Sequence, residues 1–189
     1  MQTALLVIDV QESFRQRAAD WQARANPGVV EQVGRLVDNA RAAGDLVVWV
    51  LHTEPGSGGV FDPEKGFVRP IDPLQPIAGE SLVRKTSINA FTTTNLQQQL
   101  TTHGVREVVI CGIRTEQCCE TTARVANDLG YRVLFVGDAT TTSAITATDG
   151  RVALSGQQII ARTEAVLAAR EFATVVSTDE VIARAALPA

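Results

Sequence analysis

The stretch Ala4-Leu5-Leu6-Val7-Ile8-Asp9 places five apolar residues in a row and ends them on an acid. A half-exposed strand alternates apolar and polar residues, whereas a strand covered on both faces reads as an unbroken apolar run. The same signature returns at residues 46–51, more weakly at 81–83, and again at 108–111, 133–136 and 174–176. Between these runs the apolar period changes to that of a helix. Val30, Val33, Val37 and Ala40 precede Gly44, and Leu96 and Leu100 precede Gly104. A third helix runs from about Cys118 to Gly130, and an Ala-rich one is expected over 146–169. Ser177-Thr178-Asp179-Glu180 is a capping box that opens the last. Strands alternating with helices imply an α/β fold: a three-layer α/β/α, Rossmann-like sandwich around a six-stranded parallel sheet with right-handed crossovers. No linker, repeat or low-complexity segment interrupts the pattern, so residues 1–189 are read as one domain. The long irregular stretch 52–80, rich in Gly and Pro, is expected to be a functional loop, a lid or an interface arm.

Composition narrows the function classes. Apolar residues make up 45% and charged residues 20%, and the formal net charge is −4. An acidic chain without a Lys/Arg run is a poor partner for nucleic acid, which needs a basic face, and for a membrane surface. Three cysteines, Cys111, Cys118 and Cys119, do not form a disulfide framework and point to a reducing compartment. With neither a signal-peptide pattern nor a long apolar span, a cytoplasmic location is expected.

In open parallel sheets the ligand crevice lies beyond the carboxyl ends of the strands. The first strand ends at Asp9, the third runs into Lys85, and the fourth leads through Gly112-Ile113-Arg114-Thr115-Glu116-Gln117 to Cys118 at a helix start. Each residue alone has an ordinary reading: a capping acid, a solvated lysine, a buried packing cysteine. Their convergence on one edge is what gives the set chemical meaning. A thiol at a helix N-terminus beside an ammonium has its thiolate favoured, typically with a pKa of about 3.5–7.5. A carboxylate can take the thiol proton and return it to a leaving group.

Three motifs carry a resemblance. The first is Leu6-Val7-Ile8-Asp9-Val10-Gln11 with Phe14; the second is Lys85 followed by Asn89-Ala90-Phe91; the third is Cys111-Gly112-Ile113-Arg114-Thr115-Glu116-Gln117-Cys118 with Thr121-Thr122-Ala123-Arg124. In this order they resemble the isochorismatase-like cysteine hydrolases, which include nicotinamidases, N-carbamoylsarcosine amidase and ureidoacrylate or biuret amidohydrolases. The resemblance implies a catalytic triad of Asp9, Lys85 and Cys118 and a cis peptide between Ile113 and Arg114. It also implies an oxyanion hole made by the backbone amides of Arg114 and Cys118. Gln11, Phe14 and Phe91 are placed at the substrate pocket, with Phe14 equally readable as a core aromatic and Gln11 as a group that orients Asp9. The implied activity is hydrolysis of a C–N bond in a small amide or ureide through a thioester, in a homodimer or homotetramer.

The chain departs from some members of that family. Nicotinamidases carry a metal set of Asp-x-His plus a further His; here the second strand ends Trp49-Val50-Leu51-His52-Thr53-Glu54, and the only other histidine is His103. No metal and no cofactor are therefore expected, and His52 reads as a satisfied loop residue, with a place in the pocket lining as the alternative. Isochorismatases proper, which cleave a vinyl ether, often lack the cysteine that stands here at position 118. Vinyl ether hydrolysis, a non-catalytic binding protein of the same fold, and thiol redox chemistry through Cys118 and Cys119 are the rival readings.

Overall fold

The computed structural model describes residues 2–151 and 153–185. Its centre is β1 (Gln2–Ile8), flanked by β2 (Leu46–His52) and by β4 (Val105–Ile113). β3 (Ser81–Lys85) lies outside β2; β5 (Arg132–Thr141) and β8 (Thr174–Val176) continue beyond β4. The six strands are parallel in the order β3-β2-β1-β4-β5-β8. The order reverses direction at β1, so a crevice opens between the carboxyl ends of β1 and β4, the switch point of the topology.

The unbroken apolar runs are explained by two cores, one on each face. Ala4, Leu6 and Ile8 of β1 point to a layer formed by α4 (Leu96–Thr102), α5 (Glu120–Asp128) and α6 (Gly156–Ala169). Leu5 and Val7 point the other way, to α3 (Val29–Ala43) and α7 (Thr178–Ala185). Because both faces are dry, each position in such a strand gains from an apolar side chain, roughly 1.5–3 kcal/mol for a fully buried Leu or Ile. Glu120, buried at the start of α5, ties that layer together: it accepts from Arg124 at 2.8 Å, from Arg162 at 2.7 Å and from Thr163 at 3.2 Å. The Ser177/Glu180 capping box opens α7, with the Ser177 amide donating to Glu180 at 2.7 Å and the Glu180 amide donating back at 3.2 Å.

Two segments differ from the sequence reading. The helix expected over 146–169 starts only at Gly156, behind a second capping box in which Ser155 accepts from the Gln158 amide at 3.2 Å and the Gln158 side chain from the Ser155 amide at 2.9 Å. Ahead of it β6 (Ile145–Thr146) and β7 (Ala153–Leu154) pair antiparallel around a turn closed by Gly150. The threonines and the Asp149-Gly150 pair favour that turn over a helix. The 53–80 segment is not a free lid. Asp62 accepts from the Gly58 and Glu64 amides at 2.8 and 3.2 Å, and Glu80 from Arg41 and from the Trp49 indole at 2.7 and 2.8 Å. Its middle lies along α1 (Glu12–Arg15), whose first amides donate to Arg69 and Phe67 carbonyls at 2.9 and 3.0 Å. The short α2 (Ala18–Gln22) follows.

Gly112 is where β4 passes closest to β1. Its φ is +130°, and a Cβ there would stand 1.9 Å from the Ile8 carbonyl oxygen, a backbone atom with no room to move. Gly112→Ala is expected to lower stability by at least about 2 kcal/mol in urea unfolding. It should disturb the ends of the two strands that carry Asp9 and the segment leading to Cys118. An unchanged midpoint would contradict this packing.

Candidate active site

Three elements deliver the three groups. Asp9 is the first residue past β1 and takes a left-handed conformation, φ +53°, while its amide donates to Val50 at 2.8 Å. An Asp tolerates this region better than most residues, and a strained position held by strand pairing on both sides is a common mark of function. Lys85 ends β3 in register with His52 of β2, and its carbonyl is fixed by the Thr53 amide at 2.8 Å. Its side chain therefore crosses over the end of β2 toward β1. Cys118 lies on one wide turn of π type, Thr115–Cys119, closed by the Cys119 amide on the Arg114 carbonyl at 3.2 Å and running into α5. Such turns recur at functional sites because the extra residue re-aims a side chain. The Ile113–Arg114 peptide that precedes the turn is cis.

Lys85 Nζ lies 2.8 Å from Asp9 Oδ2, 3.3 Å from Cys118 Sγ, 3.3 Å from the Ser87 carbonyl and 3.5 Å from His52 Nδ1. Both side chains of the ion pair are wholly buried, at 0% exposure. The groups near enough to donate to the Asp9 carboxylate are the Lys85 ammonium at 2.8 Å and the Cys118 thiol. A carboxylate buried with so few donors is costly and is poised to accept a proton. Burial raises the Asp9 pKa, against the pull of the Lys85 charge. Burial alone would lower that of Lys85, but the Asp9 charge first, with the contact to Cys118, outweighs it and the ammonium is favoured.

The thiol differs from the sequence expectation. Cys118 is pushed up to about 12, first by burial and then by the Asp9 charge, with Lys85 opposing. The helix start and the ammonium were expected to favour a thiolate; desolvation and the adjacent carboxylate win instead. The protonated form of the thiol is thus favoured beside the Asp9/Lys85 pair.

The pocket over Cys118 has a volume of about 160 Å³ and is lined by Asp9, Phe14, Arg17, His52, Glu54, Phe61, Ile88, Arg114, Gln117 and Cys118. Phe14 thus faces it, meeting Phe61 edge-on at 5.1 Å. Gln11 does not face it. Its amide is spent on the His52 backbone, accepting at 2.8 Å and donating at 3.1 Å, and on Ser13 at 2.9 Å. Phe91 also stands outside, stacked on Tyr131 at 6.2 Å in the core. Its motif serves as scaffold: the Ala90 amide donates to Thr122 at 3.1 Å, so the segment after Lys85 docks onto the helix after Cys118. Cys119 is fully buried in that same core. Arg114 is held by Ser143 at 2.6 Å and Asp20 at 2.9 Å, and Trp21 is covered by Arg24 at 4.2 Å. His52 is more than a satisfied loop residue, since it ends β2 and faces both Lys85 and the pocket. His103 ends α4, ahead of the amino end of β4, and no cluster of three or more His, Cys, Asp or Glu is present among the described residues. Phe61, Glu54 and Arg17 were not singled out by the sequence. Phe61 and Glu54 come from the long 53–80 segment and Arg17 from the link between two short helices, where no periodicity marks them.

Comparison with known proteins agrees with this architecture. Residues 3–180 match the Isochorismatase domain. The chain belongs to the isochorismatase family, whose members are hydrolases. It is 38% identical over 148 residues to a streptothricin hydrolase of Streptomyces noursei, covering 78% of this chain and 57% of that one. It is 35% identical to Nicotinamidase 3 of Arabidopsis thaliana, over 74% of this chain and 73% of that one. The crystal structure of a hydrolase of the isochorismatase family from Chromobacterium violaceum superposes with a TM-score of 0.89, at 26% identity over 97% of this chain and 93% of that one.

The ion pair makes a stability prediction. Lys85→Met leaves the Asp9 charge buried and is expected to cost about 3–5 kcal/mol in urea unfolding at neutral pH. Asp9→Asn with Lys85→Met is expected to cost less than Lys85→Met alone. A carboxyl whose folded pKa is raised contributes stability below its unfolded pKa and loses it as pH rises through the folded one. The Lys85→Met loss should therefore shrink as the pH is lowered. A double variant less stable than the single would contradict the buried-pair account.

Proposed function

We propose that the protein hydrolyses a C–N bond of a small, planar amide or ureide, with Cys118 as nucleophile, Asp9 as general base and acid, and Lys85 as the charge that holds both. The observation that carries this reading is Lys85 Nζ bridging Asp9 at 2.8 Å and Cys118 at 3.3 Å, with Asp9 and Cys118 both lining one pocket. The pocket volume of about 160 Å³ matches a substrate of one ring or a short planar chain, since a cavity of about 150 Å³ accommodates benzene.

The neutral thiol sets the order of events. Asp9 takes the Sγ proton as the sulfur attacks the substrate carbonyl carbon, and the π pair moves onto the carbonyl oxygen. The backbone amides of Arg114 and Cys118 are the proposed donors to that oxyanion. Collapse expels ammonia or an amine, which leaves with the proton from Asp9, and a thioester remains. Water then attacks the thioester carbonyl, giving its proton to Asp9. The acid departs and Asp9 returns the proton to sulfur. Lys85 stays charged throughout, stabilising first the thiolate that forms in the transition state and then the Asp9 carboxylate.

Cys118→Ala is expected to reduce ammonia release from a panel of small amides and ureides to the uncatalysed level while leaving the melting temperature near that of the wild type. Vinyl ether cleavage that survives Cys118→Ala, without amide turnover, would instead favour the isochorismatase-type reaction. The rate should fall at acid pH as Asp9 takes up a proton, with the midpoint above the ordinary carboxylate value because burial raises it. An acid limb at or below about 4 would remove Asp9 from the role of base.

A further inference from the structure

We propose that Arg17 selects the substrate by receiving a carboxylate at the end remote from the scissile carbonyl; this rests on the amidohydrolase reading above. The charges facing the pocket are otherwise engaged. Asp9 lies against Lys85 at 2.8 Å, Arg114 against Asp20 at 2.9 Å, and Glu54 is turned to His52 Nε2 at 3.4 Å. Arg17 lines the same cavity as Cys118, yet no carboxylate of the described residues lies within ion-pair distance of it.

Its guanidinium lies over an aromatic, with Cζ 4.9 Å from the centre of the Phe61 ring. A cation over a ring face is attracted by the ring quadrupole without using up its N–H donors, which remain for a planar acceptor. Phe61 is itself fixed edge-on against Phe14 at 5.1 Å and His52 at 5.5 Å, so the platform under Arg17 belongs to the pocket wall. A guanidinium fork recognises a carboxylate through two parallel hydrogen bonds. A small cavity with a thiol at its floor and this fork at its side fits a short amide or ureide that ends in a carboxylate, with its planar middle passing the Phe14 and Phe61 edges.

The test compares three amides that differ only at the remote end: succinamate, butanamide and 3-aminopropanamide. The wild type is expected to prefer succinamate over butanamide in kcat/KM, and Arg17→Met should reduce that preference by about 10- to 100-fold, chiefly through KM. Arg69→Met, which removes an exposed arginine outside the pocket, should leave the preference as it is. Binding of succinamate to Cys118→Ala protein, followed by calorimetry, gives a readout independent of turnover and should weaken by a similar factor when Arg17→Met is added. Equal kcat/KM for succinamate and butanamide, a preference for 3-aminopropanamide, or calorimetric binding indifferent to Arg17→Met would overturn the proposal. Loss of all amide turnover with Arg17-dependent binding retained would instead overturn the amidohydrolase reading and leave Arg17 as a carboxylate receptor.

Discussion

Lys85 is a charged side chain with no exposed surface, and its burial organises the site. An ammonium removed from water needs nearly all its partners close by. It finds them in Asp9 from β1, Cys118 from the turn after β4, the Ser87 carbonyl from its own loop and His52 from β2. These contacts fix the mutual positions of three strand ends. The strand order supplies the rest: β2 separates β3 from β1, so the length of a lysine side chain is what bridges the gap. Arg would bring a planar fork in place of a compact point charge, and a shorter cation would not span the distance.

The same burial decides the resting protonation state. Desolvation penalises every charge in the cluster: burial raises Asp9, and the direct contact of Asp9 with Lys85 at 2.8 Å offsets part of that penalty. The sulfur, buried beside a carboxylate, keeps its proton. A thiol in this state is protected from adventitious oxidation and alkylation, because the thiolate is the reactive form. Proposed catalysis then begins with transfer of that proton to Asp9, the buried carboxylate beside the thiol.

The fold was readable because its physics is repetitive. Six apolar runs named six strands, and the two cores account for why those runs do not alternate. The convergence of Asp9, Lys85 and Cys118 was readable too, since each follows a strand and parallel sheets gather such ends. Pocket lining was not. Phe91 sits in a motif with Lys85 yet packs on Tyr131, and Gln11 follows Asp9 closely yet braces His52. Proximity in sequence to a reactive residue did not distinguish wall from scaffold. Arg17 and Phe61 face the pocket from irregular segments whose path depends on side-chain hydrogen bonds such as those of Asp62, and no residue period encodes that path. The upward direction of the thiol shift was not legible for a related reason: helix starts and nearby cations are visible in sequence, whereas the depth of burial is not.

The measurement closest to the central claim is the rate at which iodoacetamide modifies Cys118 at pH 7 in the wild type and in Asp9→Asn, with the site mapped by mass spectrometry. The wild-type thiol is expected to react more slowly than a free cysteine. Asp9→Asn is expected to react faster than wild type, because removing the carboxylate charge leaves Lys85 to favour the thiolate, while amide turnover is lost. A wild-type thiol that reacts rapidly near pH 6 and slows in Asp9→Asn would contradict this, placing a thiolate in the resting site.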